Sequence, residues 1–343
     1  MNNRYRIFIS AVAASLTATI GVPAAHAVDV YLSAESFIKA LPTDATGTVT
    51  QNVTMWGYSL CSAPLVASGP FEGCGLPSSP GPQITVPEND TTLTIHLQNN
   101  LAGEATSIMI PGQTKAMVPV ESANLADPQS RMRIRAFDVE AAAGGGQEAY
   151  TWSNLRPGTY LYQSASHVQL QVQMGLYGAL VHDAAAGEAY AGVPYAQSKA
   201  VVFSEIDPAL HDPVPKAANL TVDGYRPMFY LLNGEPFVVG SANLVTAFEG
   251  ERVLLRLINA GLQNRAPQLL GGYFQMVAED GHPAPVSRMQ YNTLLPAGKA
   301  LDVLFGPASA GNYALFDRRL GLVNGLSTNG GQQGQIVVSA PLP

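Results

Sequence analysis

The sequence is short of charge, cysteine, histidine and long apolar runs, and each shortage excludes something. Only 13% of the 343 residues are Asp, Glu, Lys or Arg, while 47% are hydrophobic. That balance argues for packed domains and against disorder. No basic cluster marks a nucleic-acid or anionic-lipid surface. Beyond the first 27 residues no stretch is apolar for long enough to span a bilayer. No segment keeps a 3.6-residue apolar period, so helices should be short. There is no G-x-S-x-G elbow, no H-E-x-x-H pair and no glycine-rich phosphate loop. Histidine, the commonest catalytic and metal-binding side chain, is scarce: His26, His96, His167, His182, His211 and His282 are the whole supply.

What is present begins with a leader. Arg4 and Arg6 open it, Ile7 to Ala24 is apolar and small, and Ala25-His26-Ala27 is an A-x-A cleavage pattern. Residues 1–27 therefore read as a signal peptide, with an uncleaved membrane anchor as the alternative. The two arginines are not adjacent, which favours the general export route over the twin-arginine one. The mature protein is expected to be periplasmic or secreted, with no membrane insertion after cleavage. Losing two arginines moves its formal charge from −7 to −9, a balance that suits solubility. Cys61 and Cys74, the only cysteines, are expected to form one disulfide in an oxidising compartment. Closing that loop stabilises by roughly 2–3 kcal/mol. The alternative is that one of them supplies a thiolate to copper.

Glycine (33) and proline (25) are frequent, as many short strands joined by turns require. Val28 to Thr48 reads as an entry segment. Thr50 to Tyr58 and Ile84 to Val86 read as strands. Thr91 to Gln98 alternates, with Leu93, Ile95 and Leu97 on one face and His96 among the polar residues of the other. Pro157-Gly158 turns the chain into a strand over Thr159 to Tyr162. A loop carrying His167 follows, and Met174 to Val181 runs out as another strand. Residues 184–198 are small and polar and read as a linker. The second half then echoes the first. Glu88, an apolar strand and Asn99 match Glu249, Val253 to Ile258 and Asn259. Gly158-Thr-Tyr160 matches Gly311-Asn-Tyr313, and Gly178 to Val181 matches Gly334 to Val337. A repeat of roughly 155 residues is too long for a solenoid and implies two copies of one domain.

The stretch from Pro157 to His167, continuing into Met174-Gly-Leu-Tyr-Gly178, resembles the first domain of multicopper oxidases. There, Pro-Gly-Thr-Tyr-Trp-Tyr-His-Ser-His leads to Met-Gly-Leu-Tyr-Gly. Ser107-Ile-Met-Ile-Pro-Gly112 resembles the family's Ser-Ile-His-Trp-His-Gly. Asn233 to Phe237, Arg256 to Gly261, Ala278 to Gly281, Pro296 to Asp302 and Phe316 to Leu320 also look familial. The resemblance implies an all-β chain of two consecutive cupredoxin-like Greek-key β-sandwich domains, plastocyanin-like in architecture, over residues 28–183 and 199–343. It also locates the family's copper ligands, and here those positions hold Met109, Pro111, Gln163 and Ala165. A three-copper cluster takes more histidines than the five that follow the leader, and the blue site needs a cysteine where Ser164 stands.

His167 with Met174 is the remaining pair worth considering as metal ligands. Met109 and Met117 could join them in a soft site for Cu(I); otherwise His167 serves its loop and Met174 fills core. Arg318 and Arg319 could hold an anion or belong to a structural charge network. His182 and His282 read as strand-end and turn residues. The function expected is that of an exported multicopper-oxidase-like module with degenerate copper sites, non-catalytic, without a cofactor, acting through a protein partner or as a homo-oligomer. The competing expectation is a copper-dependent oxidoreductase or electron carrier that uses a non-family copper site or a partner subunit.

Overall fold

The computed structural model describes residues 26–123, 128–211 and 223–341. The expected leader lies outside these residues apart from its last two, which begin the first strand. The first half holds β1 (His26–Pro42), β2 (Thr50–Cys61), β3 (Ile84–Val86), β4 (Asp90–Asn99), β5 (Ile108–Met109), β6 (Val120–Ala123), β7 (Met132–Ala136), β8 (Gly146–Ser153), β9 (Gly158–Ser164) and β10 (Tyr177–His182). A short helix, α1 (Val168–Met174), stands between the last two. One sheet runs β2-β1-β4-β8 and the other β3-β10-β9-β5. Leu93, Ile95, Leu97, Trp152, Tyr160 and Tyr162 are buried between them.

Residues 184–198 contain a small hairpin, β11 (Glu188–Tyr190) and β12 (Val193–Pro194). The second half adds β13 (Gln197–Ile206), β14 (Phe229–Leu232), β15 (Val245–Phe248), β16 (Val253–Asn259), β17 (Pro267–Leu270), β18 (Phe274–Glu279), β19 (His282–Pro283), β20 (Met289–Gln290), β21 (Ala300–Phe305), β22 (Gly311–Asp317) and β23 (Gln333–Ser339). Its sheets run β14-β13-β16-β21-β18-β19, with β20 on β18, and β15-β23-β22-β17.

The internal repeat is visible down to single bonds. β1 runs parallel to β4 as β13 does to β16, and β3 runs parallel to β10 as β15 does to β23. Asn99 ends β4 by donating to the Glu104 and Ala141 carbonyls while its Oδ1 accepts from the Leu101 N–H. Asn259 ends β16 in the same way, donating to Gln263 and Leu295 and accepting from Gly261. Gly158 and Gly311 open their strands at φ 141° and 150°, a region that favours glycine.

Two expectations are corrected. The entry segment is mostly β1, the longest strand of the fold. Its alanines, serines and lysine carry little β propensity, and what holds it is pairing on both sides, with β4 over residues 26–34 and with β2 over residues 31–42. Met174 does not start a strand: it closes α1, and β10 begins at Tyr177. Gly175, at φ 120°, makes that exit.

The two halves share buried apolar surface. Leu161, Val172, Tyr177 and Ala179 pack against Val202, Ile258, Ala260 and Ala300. Leu41, Val53 and Met55 pack against Ile206, Phe229 and Leu231. This is why every residue of β9, β10, β16 and β21 is buried and why these strands read as near-continuous apolar runs. Cys61 and Cys74 are joined as a disulfide, which leaves no thiolate for copper. Among the described residues no helix is long and apolar enough to cross a membrane.

Candidate functional site

Strand alternation sorts the side chains at the end of the first sandwich. On β9, Tyr160 and Tyr162 point into the first core, so Ser164 shares their face. Thr159 and Leu161 point toward the second sandwich, and Gln163 shares theirs. Met109 is paired directly with Gln163 and therefore lies on the same outer face. Ala165 is fully buried and Pro111 is exposed on the loop after β5.

The inner face is closed by a polar network that sequence reasoning did not anticipate. The Ser164 and Thr106 hydroxyls donate to Gln171 Oε1 at 2.6 and 2.7 Å, and Gln171 Nε2 donates to the Ala105 carbonyl at 2.8 Å. Ser107 and Ser166 exchange a bond at 2.8 Å. Gln171 is fully buried, and every polar atom of its amide oxygen and nitrogen has a protein partner. A satisfied network of this kind fixes the loop and leaves no orphaned donor or acceptor at Ser164. The signal that could have found it is the glutamine at Gln171, a polar residue on the buried side of a helix that also carries Leu170 and Met174 inward.

His167 precedes α1 with φ 38°, and its carbonyl accepts from the Leu170 and Gln171 N–H groups. Its Nδ1 lies 3.4 Å from Glu104 Oε2 without forming a hydrogen bond. Met174 has no exposed surface and sits among the first core's apolar side chains. Met109, on the outer face of the sheet, and Met174, on the inner, are not brought together. Met117 is half-buried in the loop that leads to β6.

Donor chemistry tests these positions for copper. The four family positions offer one thioether and one amide, with no imidazole. The Ser164 hydroxyl is committed to Gln171. These residues fit neither a histidine-rich cluster nor a thiolate site. Among the described residues, no group of three or more His, Cys, Asp or Glu is placed to hold a metal ion.

Two buried charge networks cross between the sandwiches. Asp302 accepts from the Thr159 hydroxyl at 2.6 Å and from the Tyr190 hydroxyl at 2.5 Å. Arg256 donates to Thr159 and to Asp183, at 3.2 and 2.5 Å. Burial pushes the Asp302 carboxyl upward, opposed by Arg256 and the two hydroxyls. Burial also works against the charged form of Arg256, but Asp302 and Asp183 outweigh it and raise the guanidinium. Burial likewise raises Tyr160, to about 12. In the second network Arg265 pairs with Glu205 and, at 3.3 Å, with Asp317; all three are buried. Tyr225 bridges Glu205 to Gln173 of α1, and Arg265 lies over the Tyr230 ring. Arg319 donates to the Asn264 carbonyl at 2.8 Å, so it serves the structure at this end.

Three of the remaining histidines are held by structural hydrogen bonds. His96 sits on the polar face of β4, bonded to Asp29 at 2.7 Å and stacked on Tyr31. His211 bonds the Thr54 carbonyl at 2.8 Å. His182 is buried at the end of β10. His282 lies in β19, in the turn region expected, with Nδ1 on the Asp280 carbonyl at 3.0 Å.

With this geometry in hand, known proteins bear on the fold. Residues 210–339 match the family description "Multicopper oxidase". The chain is similar in structure to a blue copper oxidase from Nitrosomonas europaea, with TM-score 0.70 and 19% identity over 91% of this chain and 86% of that one. It is similar to a multicopper oxidase, mgLAC, with TM-score 0.67 and 17% identity over 93% and 88%. It is also similar to a copper nitrite reductase from Nitrosomonas europaea, with TM-score 0.64 and 19% identity over 92% and 94%. No curated protein matches the chain by sequence. The all-β cupredoxin fold is shared with these multicopper oxidases and this copper nitrite reductase.

Proposed function

We propose that this chain, built on the multicopper oxidase scaffold with residues 210–339 matching that family, is an exported module that works by binding and not by redox catalysis. The observation that carries the reading is the donor set at the family's ligand positions. Met109, Pro111, Gln163 and Ala165 stand there, and Ser164 is closed off by Gln171 and Thr106. Oxygen reduction needs several imidazoles around clustered copper, and a blue site needs a thiolate. The leader pattern over residues 1–27 supports a periplasmic or secreted location. We take the domains to span residues 28–183 and 199–343, joined through 184–198. A protein partner or a second copy of the chain is the occupant expected.

The test is metal content after expression in excess copper, together with a spectrum and an oxygen-consumption assay on a phenolic substrate. The expected outcome is no blue band, no turnover and at most one weakly held copper, lost in His167→Ala. Three or four tightly bound coppers with turnover would overturn the reading.

A further inference from the structure

A further cleft lies mainly in the second half, beside β18 and β21. It has a volume of about 910 Å³ and ends at Gly112 of the first half, next to Pro111. Cavities of roughly 300–1,000 Å³ hold small organic ligands. The floor is apolar: Met276 and Ala278 from β18 and Leu301 from β21. Val286 and Leu294 stand in its wall, 71% and 62% exposed. Large apolar side chains left open to water beside an apolar floor mark a surface that gains by being covered.

The polar groups give this cleft a sign. Lys299 is shared between Glu279 and Asp280, which leaves one negative charge unmatched among the three. Arg288, in the lining, has no carboxylate partner among the described residues. Arg156 stands beyond the far end, likewise without one. Its guanidinium donates to the Gly112 carbonyl at 2.7 Å and meets His282 Nε2 at 2.9 Å. His282 Nδ1 donates to the Asp280 carbonyl, so Nε2 carries the lone pair and accepts from Arg156. The histidine therefore orients the arginine without neutralising it. Arg288 in the lining and Arg156 beyond its far end, both without a carboxylate partner among the described residues, leave a small positive excess around this cleft on a chain of net charge −7. Guanidinium is the side chain best matched to a carboxylate, through paired N–H donors.

We propose that this cleft binds a small organic carboxylate. Its apolar body lies on Met276, Ala278 and Leu301, and its carboxylate faces Arg288. The inference is independent of the copper reading, since none of these residues occupies a family ligand position.

The test is calorimetric titration of the full mature chain with 2-naphthoate, and with 2-naphthamide as a neutral body of the same shape. The expected result is one saturable site per chain, with the amide bound roughly tenfold more weakly or worse, as loss of a charge-assisted contact implies. Arg288→Ala should weaken naphthoate by a similar factor. Val286→Asp should abolish binding, and circular dichroism should show that this exposed substitution leaves the fold intact. Absence of saturable naphthoate binding would overturn the proposal. So would equal binding of acid and amide, which would remove the carboxylate, or undiminished binding in Val286→Asp, which would remove the cleft.

Discussion

Arg265 holds a positive charge out of water between Glu205 and Asp317, with the Tyr230 ring beneath it. Such a group is stabilising only while its partners remain, because each buried carboxylate left alone keeps its full desolvation penalty. Arg265→Leu fills the volume but strands both acids. The expected loss is about 3–5 kcal/mol, seen as a lower urea midpoint at unchanged slope. A loss under about 1 kcal/mol would mean that water reaches the site and screens it. Arg256, in the other network, is equally buried, yet its partners include neutral Thr159 as well as Asp183. The two arginines are therefore not equivalent, and only Arg256 lies in a stretch that the resemblance marks out.

At the scale of elements, the hairpin of β11 and β12 carries the largest surprise. Its sequence is small and polar, and composition alone makes it a linker. Tyr190 changes that: its ring is buried with Ala189 against Leu254, Val277 and Leu304, and its hydroxyl bonds Asp302. Tyr190→Phe should cost about 1.5–3 kcal/mol, the usual worth of a hydrogen bond to a charged group. It should also hasten proteolytic cleavage within residues 184–198 relative to the parent chain. Equal cleavage rates would show that the hydroxyl does not tether the hairpin. The strands with clear alternation, such as β4, were legible in the sequence, and so was the repeat, because each rests on residue identity at a fixed spacing. β1 was not legible, since pairing with β2 and β4 holds it where propensity does not. The Thr106–Ser164–Gln171 network and the cleft were not legible either. The network joins residues far apart in the chain, and neither feature follows a local pattern.

For the whole molecule, the apolar seams and both charge networks join the sandwiches closely enough that they should unfold together. Calorimetry is expected to show one transition at neutral pH, and two separated transitions would sink that claim. The seam also has an acid-sensitive member. His211 lies between Thr54 of the first sandwich and Gln173, and burial holds it below the usual histidine range, against the Thr54 bond and Asp207. The unfolded chain therefore binds this proton first, and stability present above about pH 6.5 is lost as pH falls toward the lowered value. Asp302, raised by burial, acts in the opposite sense: its contribution is full below the ordinary carboxylate range and is lost as pH rises through its raised value. The difference between the parent and His211→Gln isolates the histidine, and the variant's curve should be flatter between pH 5 and 7. Polar partners split between the halves also set an order of events during synthesis. Thr159 and Gln173 leave the ribosome before Asp302, Glu205 and Tyr225 exist to satisfy them. The first half therefore emerges with its most demanding face exposed, and it must be kept from other chains until roughly a further 130 residues have been translated.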